Sequence, residues 1–289
     1  MTAQPEPRNP LGLGQGPLAR HQLLALTRGP TRRARAIPFS DFVPERYAQQ
    51  ALALASDQYG ALARGERSAI GLFSRLGAAL DAFGAPREFV LAATAAAHDE
   101  ARHAQYCEEF AVRCGFDASA LSGAGAPAEP EPRSLIELDI AMLRSVALSE
   151  TLAAALLMAC RRVAREPVAR ALLTTLIADE IHHARLGWYY AASRSPSWST
   201  DERQRVADAL AEAVVCIESE FHWGRDAAPP FDRPTRALGV LRSDLQRPCI
   251  QDVVQNEILP GLDALGLNAS KAWEKRVASG AAEVAAPPL

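Results

Sequence analysis

Two short motifs of the same form bring acidic and imidazole side chains together. Residues 99–103 read Asp-Glu-Ala-Arg-His, and residues 179–183 read Asp-Glu-Ile-His-His. In each motif the glutamate and the last histidine stand three residues apart, so on an α-helix they lie on one face and can bind one cation together. The repetition predicts four metal ligands, two on each of two helices: Glu100, His103, Glu180 and His183.

The rest of the chain has the composition and turn signals of a helical protein. Alanine, leucine and arginine dominate, whereas β-branched and aromatic residues are sparse, a bias that favours helix. Glycine and proline mark the ends of the helical segments. The pattern predicts helices at about Pro44–Phe83, Pro86–Cys114, Ser134–Ala164, Pro167–Ala192 and Thr200–Trp223, with shorter pieces to about Val277.

The connections between these helices predict their arrangement. Tight turns join the first helix to the second and the third to the fourth, so each pair should form an antiparallel hairpin. Residues 117–133, rich in Gly, Ala and Pro, join the two hairpins. Fully extended, this segment spans roughly 55 Å, enough to run the length of a long helix. We therefore expect an all-α four-helix bundle made of two hairpins with a long crossover.

Three regions follow from this reading. Residues 1–40 carry repeated Pro, Gly and Arg without periodicity, which is typical of a disordered tail. Residues 41–195 should form the four-helix bundle with the metal ligands. Residues 196–280 should add C-terminal helices that pack on the bundle.

The first and third helices must supply the remaining ligands. Glu66 is the carboxylate nearest the middle of the first helix, and Glu150 is the only one in the middle of the third. At a rise of ~1.5 Å per residue, the two glutamates of each hairpin lie within about one helical turn of the same depth. Charged residues at helical spacing usually form a solvated face, but the residues next to these glutamates on the same helix face are apolar or small. Four core-facing carboxylates repel each other and lose hydration unless cations neutralise them.

The ligand types indicate the metal. Oxygen-rich ligation with one imidazole per ion suits iron or manganese better than copper or a thiolate-seeking metal. Four carboxylates balance two divalent ions, so we expect two Fe ions, with Mn or a mixed Fe/Mn pair as the alternative. Asp99 and Asp179 should each accept the free ring N–H of a ligating histidine. The expected pairing is crosswise, Asp99 with His183 and Asp179 with His103.

Composition restricts the location and partners of the protein. The net charge of −3 gives no field that attracts nucleic acid or an anionic membrane. The five cysteines are scattered and form no C-x-x-C pair, which fits a reducing compartment. The chain shows no apolar leader and no apolar run that we judge long enough to cross a bilayer. We expect a soluble, cytoplasmic protein.

These motifs resemble those of the ferritin-like di-iron carboxylate superfamily over about residues 45–195. The segments "GERSAIGLF", "HDEARHAQYC", "LSETLAAALL" and "ADEIHHARLGW" are similar to bacterial ferritin-like domain proteins. Two Glu-His pairs differ from the single pair of ferritins, and the four-cysteine site that rubrerythrins usually add is missing. Carried over by position, the resemblance implies six metal ligands and no catalytic residue beyond them: Glu66, Glu100, His103, Glu150, Glu180 and His183.

The resemblance implies an oxidoreductase that activates O2. The leading hypothesis is a di-iron oxidase or oxygenase with a small organic substrate, an electron-donor protein as a further partner, and a homodimeric state as an option. The alternatives are a ferroxidase or peroxide-scavenging protein without an organic substrate, and a metal-stabilised scaffold. Small side chains should leave room for the substrate beside the metals: Ala93, Ala96, Ala97 and Ala154.

Overall fold

Regular structure is helical in every part of the chain that the computed structural model describes, namely residues 36–121, 130–220, 233–241 and 243–278. The predicted all-α fold class is therefore confirmed for these residues. Residues 1–35 of the predicted tail lie outside the described residues. Four long helices carry the candidate ligands: α1 Gln49–Ala82, α2 Arg87–Arg113, α3 Leu135–Val163 and α4 Pro167–Arg194.

The first helix begins at Gln49, later than predicted. Pro44–Arg46 forms a separate 3-10 turn, and the next two residues are extended. The Tyr47 ring stacks on Phe42 with 5.8 Å between centroids, and Phe42 packs on Phe110 of α2 at 5.0 Å. These ring contacts hold the segment before α1 against α2, so the helical turn at Pro44 does not continue into α1.

Both hairpin turns are closed by local hydrogen bonds. Gly84 has a φ of 70°, and the following Ala85 N–H donates to the Leu80 carbonyl at 2.9 Å. Such a left-handed residue ends a helix at little cost when it is glycine. At the second turn, Glu166 accepts the Ala169 N–H at 2.6 Å and Pro167 occupies the first helical turn. The two antiparallel hairpins contact each other mainly through α2 and α4.

The third helix contains a segment that the sequence did not predict. Met142–Leu148 adopts π-helical geometry inside an otherwise α-helical element. Here α4 approaches α3 so closely that a Cβ on Gly187 would lie 2.3 Å from the backbone nitrogen of Ala147. Glycine is therefore required at this contact, because any side chain would push the two helix backbones apart.

The sequence prediction that no segment could cross a membrane was wrong for α3. Among the described residues, Leu135–Val163 is long and apolar enough to do so, with a mean hydropathy of 1.6 over its most apolar window. However, 67% of that window is buried inside the structure. Asp139 and Glu150 are also buried on this helix. The apolar character of α3 is thus explained by its place in the core.

Further helices follow the second hairpin: α5 Thr200–Glu220, α6 Arg233–Ala237, α7 Ser243–Val253, α8 Leu259–Ala264 and α9 Ala269–Ala278. A π-helical segment, Val254–Ile258, joins α7 to α8. The predicted end of the fifth helix at Trp223 lies outside the described residues, which resume at Arg233, the first residue of α6. Helix α7 packs against α3, and its apolar side chains share a buried cluster with Trp188 of α4.

Two apolar clusters in the hairpins are separated by a polar layer. One cluster contains Ala63, Cys107, Leu157 and Leu176, and the other contains Phe73, Ala96, Val146 and Leu186. Each of the four long helices thus contributes side chains to both clusters. On each helix, the candidate ligands lie between the residues of one cluster and those of the other. The polar layer therefore consists of the six predicted metal ligands: Glu66, Glu100, His103, Glu150, Glu180 and His183.

Candidate metal centre

The structure brings all six predicted ligands together from four helices. Five of them have at most 7% of their surface exposed, and the side chain of the sixth, Glu66, is 12% exposed. Burial of four carboxylates without compensating charge would be strongly unfavourable. The layer therefore needs cations or protons to neutralise it.

Two groups of ligand atoms can be distinguished within the layer. Each group has four side chains whose candidate ligand atoms all lie within 4.8 Å of one another. Glu100 and Glu180 belong to both groups, so each could contribute a ligand atom to two ions. The first group adds Glu66 and His103, and the second adds Glu150 and His183.

The histidines direct one ring nitrogen towards the carboxylates of the layer. Nδ1 of His103 lies 3.0 Å from Glu180 Oε1, and Nδ1 of His183 lies 2.8 Å from Glu100 Oε1. The other nitrogen of each ring faces an aspartate. Nε2 of His103 is 3.0 Å from Asp179 Oδ2, and Nε2 of His183 is 3.4 Å from Asp99 Oδ2. These distances have the crosswise arrangement that the sequence suggested, with Nδ1 as the nitrogen left for a metal.

Arg102 joins the site and was not predicted from the sequence. Its Nη2 lies 2.8 Å from Asp99 Oδ1 and 2.8 Å from Asp179 Oδ2, so one guanidinium joins the supporting aspartates of both histidines. A signal was present, because Arg102 stands inside the first motif. The corresponding position of the second motif is His182, so only the first motif supplies a permanent positive charge.

Buried atoms without well-formed hydrogen bonds indicate that the layer is suited to metal ions. Both carboxylate oxygens of Glu100, Oε1 of Glu180 and Nδ1 of His103 are buried, and within the described part of the chain their close contacts, such as His103 Nδ1 with Glu180 Oε1, lack hydrogen-bond geometry. Buried polar atoms are rarely left in this condition, because each one loses its hydration without compensation. All of these atoms point into the two ligand groups. The donor set of carboxylates and imidazoles therefore fits two divalent cations.

The electrostatics of the layer divide its acids into two kinds. Burial and the negative charge of neighbouring carboxylates raise the pKa of Glu150 well above its usual value, and burial likewise raises the pKa of Glu66. Burial also acts on Glu100 and Glu180, but the adjacent imidazoles outweigh it and lower the pKa of both. The shared glutamates are therefore the acids most readily ionised.

The imidazoles of the same layer have raised pKa values. Burial opposes their charge, but Asp179 and the neighbouring glutamates raise the pKa of His103 well above its usual value, and Asp99 with Glu100 and Glu180 does the same for His183. A divalent cation competes with these protons for the same nitrogen and oxygen atoms. Metal binding should consequently release protons and strengthen as pH rises.

Replacement of the supporting aspartates should weaken metal binding without removing a ligand. Asp179 is 4% exposed and lies closer to its imidazole than Asp99, which is 18% exposed. We expect Asp179→Asn to lower metal affinity by about 100-fold and Asp99→Asn by about 10-fold, the usual range for such partners. Competition with a chelator measures both. Equal affinity in Asp179→Asn and the unmodified protein would show that the aspartate does not orient His103.

The alanines predicted to leave room for a substrate lie in apolar surroundings. Ala93 and Ala96 are buried in the cluster with Phe73, whose ring lies 5.2 Å from the His183 ring. Ala97 is partly buried at the edge of the same cluster, and Ala154 is buried on α3. A substrate pocket beside the metals at this place stays a prediction.

No protein-family model matches this chain, and no curated protein shows significant similarity to it. The fold and the site therefore define the class of protein by themselves. It is an all-helical protein with a buried carboxylate–histidine cluster that could hold metal ions.

Proposed function

We propose that this chain is a ferritin-like di-iron carboxylate oxidoreductase that uses O2 to oxidise a small organic substrate. The observation that carries the proposal is the sharing of Glu100 and Glu180 between two complete ligand groups. A closed set of four carboxylates and two imidazoles suits two ions that stay in place. A protein that passes iron onward needs weaker ligation at one of its positions.

The support for a ferritin-like fold is the order and pairing of the long helices. Two hairpins with short turns, α1–α2 and α3–α4, contact each other, and the ligands come from the middle of all four helices. Oxygen-rich ligation with one imidazole in each group favours iron or manganese. When bound, a pair of ferrous ions supplies the electrons that reduce O2.

The side chains of this chain have separate roles in the proposed reaction. Glu100 and Glu180 would contribute ligands to both metal positions, because each belongs to both ligand groups. Asp179 and Asp99 accept the outer ring N–H of His103 and His183 and fix the ring orientation, so Nδ1 of each ring is the nitrogen that a metal ion would take in place of a proton. The guanidinium of Arg102 contacts both aspartates and holds them in place. The apolar clusters on either side exclude bulk water from the layer.

The stoichiometry of Fe(II) oxidation tests this proposal against iron storage. Protein prepared without oxygen is titrated with increasing Fe(II) and then exposed to O2 in an oxygen electrode. We expect O2 consumption to stop once about two Fe(II) per chain are oxidised, as two-ion sites require, and the iron to stay with the protein during gel filtration. Glu109→Ala, an exposed acid on the same helix as Glu100, serves as the matched control. Continued oxidation of many Fe(II) per chain would overturn the oxygenase proposal in favour of a ferroxidase.

A further inference from the structure

A cavity lies in the C-terminal helices, apart from the metal centre. It has a volume of about 450 Å³ and lies between α5, α8 and α9. Sites for small molecules usually have a few hundred to a thousand cubic ångströms and a mostly apolar lining. None of its lining residues is one of the six candidate ligands. The apolar part of the lining is supplied by Leu210, Val214, Leu259, Leu262, Leu267 and Trp273.

The segment that connects α8 to α9 forms one wall of the cavity, and it is a turn. Gly266 has a φ of 78°, and Asn268, which lines the cavity, has a φ of 51°. The Arg203 guanidinium of α5 donates to the Leu265 carbonyl at 2.6 Å, which ties this turn to the opposite wall. At the start of α9, Asp263 accepts the Ser270 N–H at 3.1 Å. The cavity is thus built by fixed backbone on two sides.

Charge is distributed unevenly around this cavity. Lys271 and Lys275 both line it, and they are the only lysines of the entire chain. Their spacing of four residues places both on one face of α9. Within the ranges that the structure describes, neither ammonium group forms an ion pair. The one acid in the lining, Asp208, accepts a hydrogen bond from Gln204 at 2.8 Å.

We propose that this cavity binds a small amphipathic carboxylate. The apolar body would lie against the leucines and Trp273, and the carboxylate would lie between the two ammonium groups. Two lysines and one aspartate leave a net charge of +1, which matches a ligand with one negative charge better than a dianion. A lysine is also a flexible point charge, so it suits a ligand whose head group has no fixed geometry. The proposal does not depend on the function assigned to the metal centre.

Comparing the binding of octanoate, 1-octanol and octyltrimethylammonium separates the contribution of the apolar lining to affinity from that of the two ammonium groups. Isothermal titration of the full chain should show saturable binding of octanoate, weaker binding of the alcohol and the weakest binding of the cation. Lys271→Gln combined with Lys275→Gln should reduce octanoate affinity on the order of tenfold, as expected for two exposed charge contacts, and leave octanol affinity unchanged. Octanoate binding should also weaken as salt increases.

Two further variants control for non-specific effects. Ala211→Phe places a ring in the cavity from an exposed position on α5, so it should abolish binding of octanoate and octanol without disturbing the core. Arg205→Gln removes a positive charge on α5 outside the lining and should leave octanoate affinity unchanged. Equal affinity for octanoate and octanol would overturn the proposal, and so would octanoate binding that Ala211→Phe does not affect. Either result leaves the metal-centre proposal intact, because that one is tested by Fe(II) oxidation.

Discussion

Replacing Glu100 and Glu180 together by alanine is expected to lower the metal content of the purified protein from about two iron or manganese ions per chain to none. Both glutamates belong to both ligand groups, so their loss leaves each group with only one carboxylate and one imidazole. Elemental analysis of protein purified from cells grown with both metals measures the content. Within the layer, only this pair of substitutions removes two ligands from each group.

The same experiment needs a control for folding. Glu109→Ala removes an exposed carboxylate of α2 whose partner is Arg113, and it should retain the full metal content. Circular dichroism should show helical content in the double variant similar to that of the unmodified protein, because the remaining apolar clusters still bury the helices. A double variant that keeps both ions would show that the ligands have been assigned to the wrong side chains.

Gly187→Ala is expected to destabilise the protein by about 3 kcal/mol, at the upper end of the cost of adding volume to a packed core. The new Cβ would lie 2.3 Å from the backbone nitrogen and 2.7 Å from the Cα of Ala147, so no change of rotamer can relieve the contact. Urea unfolding followed by circular dichroism measures the free energy of unfolding. We also expect weaker metal binding, because Glu150 on α3 and His183 on α4 each lie about one helical turn from this contact.

Gly65→Ala is the matched control for the glycine experiment. A Cβ at Gly65 would meet no atom within 4 Å, and the residue is exposed on α1. Alanine is the better helix former, so this variant should be more stable by ~0.5–1 kcal/mol. If Gly187→Ala were as stable as Gly65→Ala, the close approach of α3 and α4 would not exist in solution.

The sequence was sufficient for the helices and for the composition of the polar layer. Helix ends could be predicted from Gly84, Pro86 and Gly115, because glycine adopts the left-handed conformation that ends a helix and proline cannot continue one. The two motifs could be placed on one helix face each, because the i, i+3 spacing has a direct geometric meaning. Glu66 and Glu150 required an additional argument from depth along the hairpins. The structure brings these two residues into the same layer as the motifs.

Other features depended on contacts between distant residues and could not be predicted. The start of α1 is set by the packing of Phe42 between Tyr47 and Phe110, which no local rule describes. The role of Arg102 depends on Asp179, which is distant in sequence but 2.8 Å away in space. The burial of α3, which makes its apolar run a core helix, is likewise a property of the assembled helices.

A buried network at the end of the second hairpin was also beyond sequence reasoning. Asp139 of α3 accepts hydrogen bonds from Tyr190, Arg194 and Trp198 at 2.7–3.2 Å, and it is fully buried. Four donor contacts to one carboxylate satisfy its lone pairs and fix the start of α3 to the end of α4. The network therefore holds α3 at one end, while Glu150 must reach the metal centre further along the same helix.

The π-helical segment between Asp139 and Glu150 has a consequence for the comparison of this chain with other helical proteins. A π-helical turn contains an additional residue, which rotates the helix beyond it by roughly 100° relative to an uninterrupted α-helix. A relative whose third helix is α-helical throughout would match this chain either before Met142 or after Leu148, but not on both sides in a single ungapped alignment. Correct alignment of such a relative requires a one-residue gap inside the helix, where gaps are ordinarily penalised.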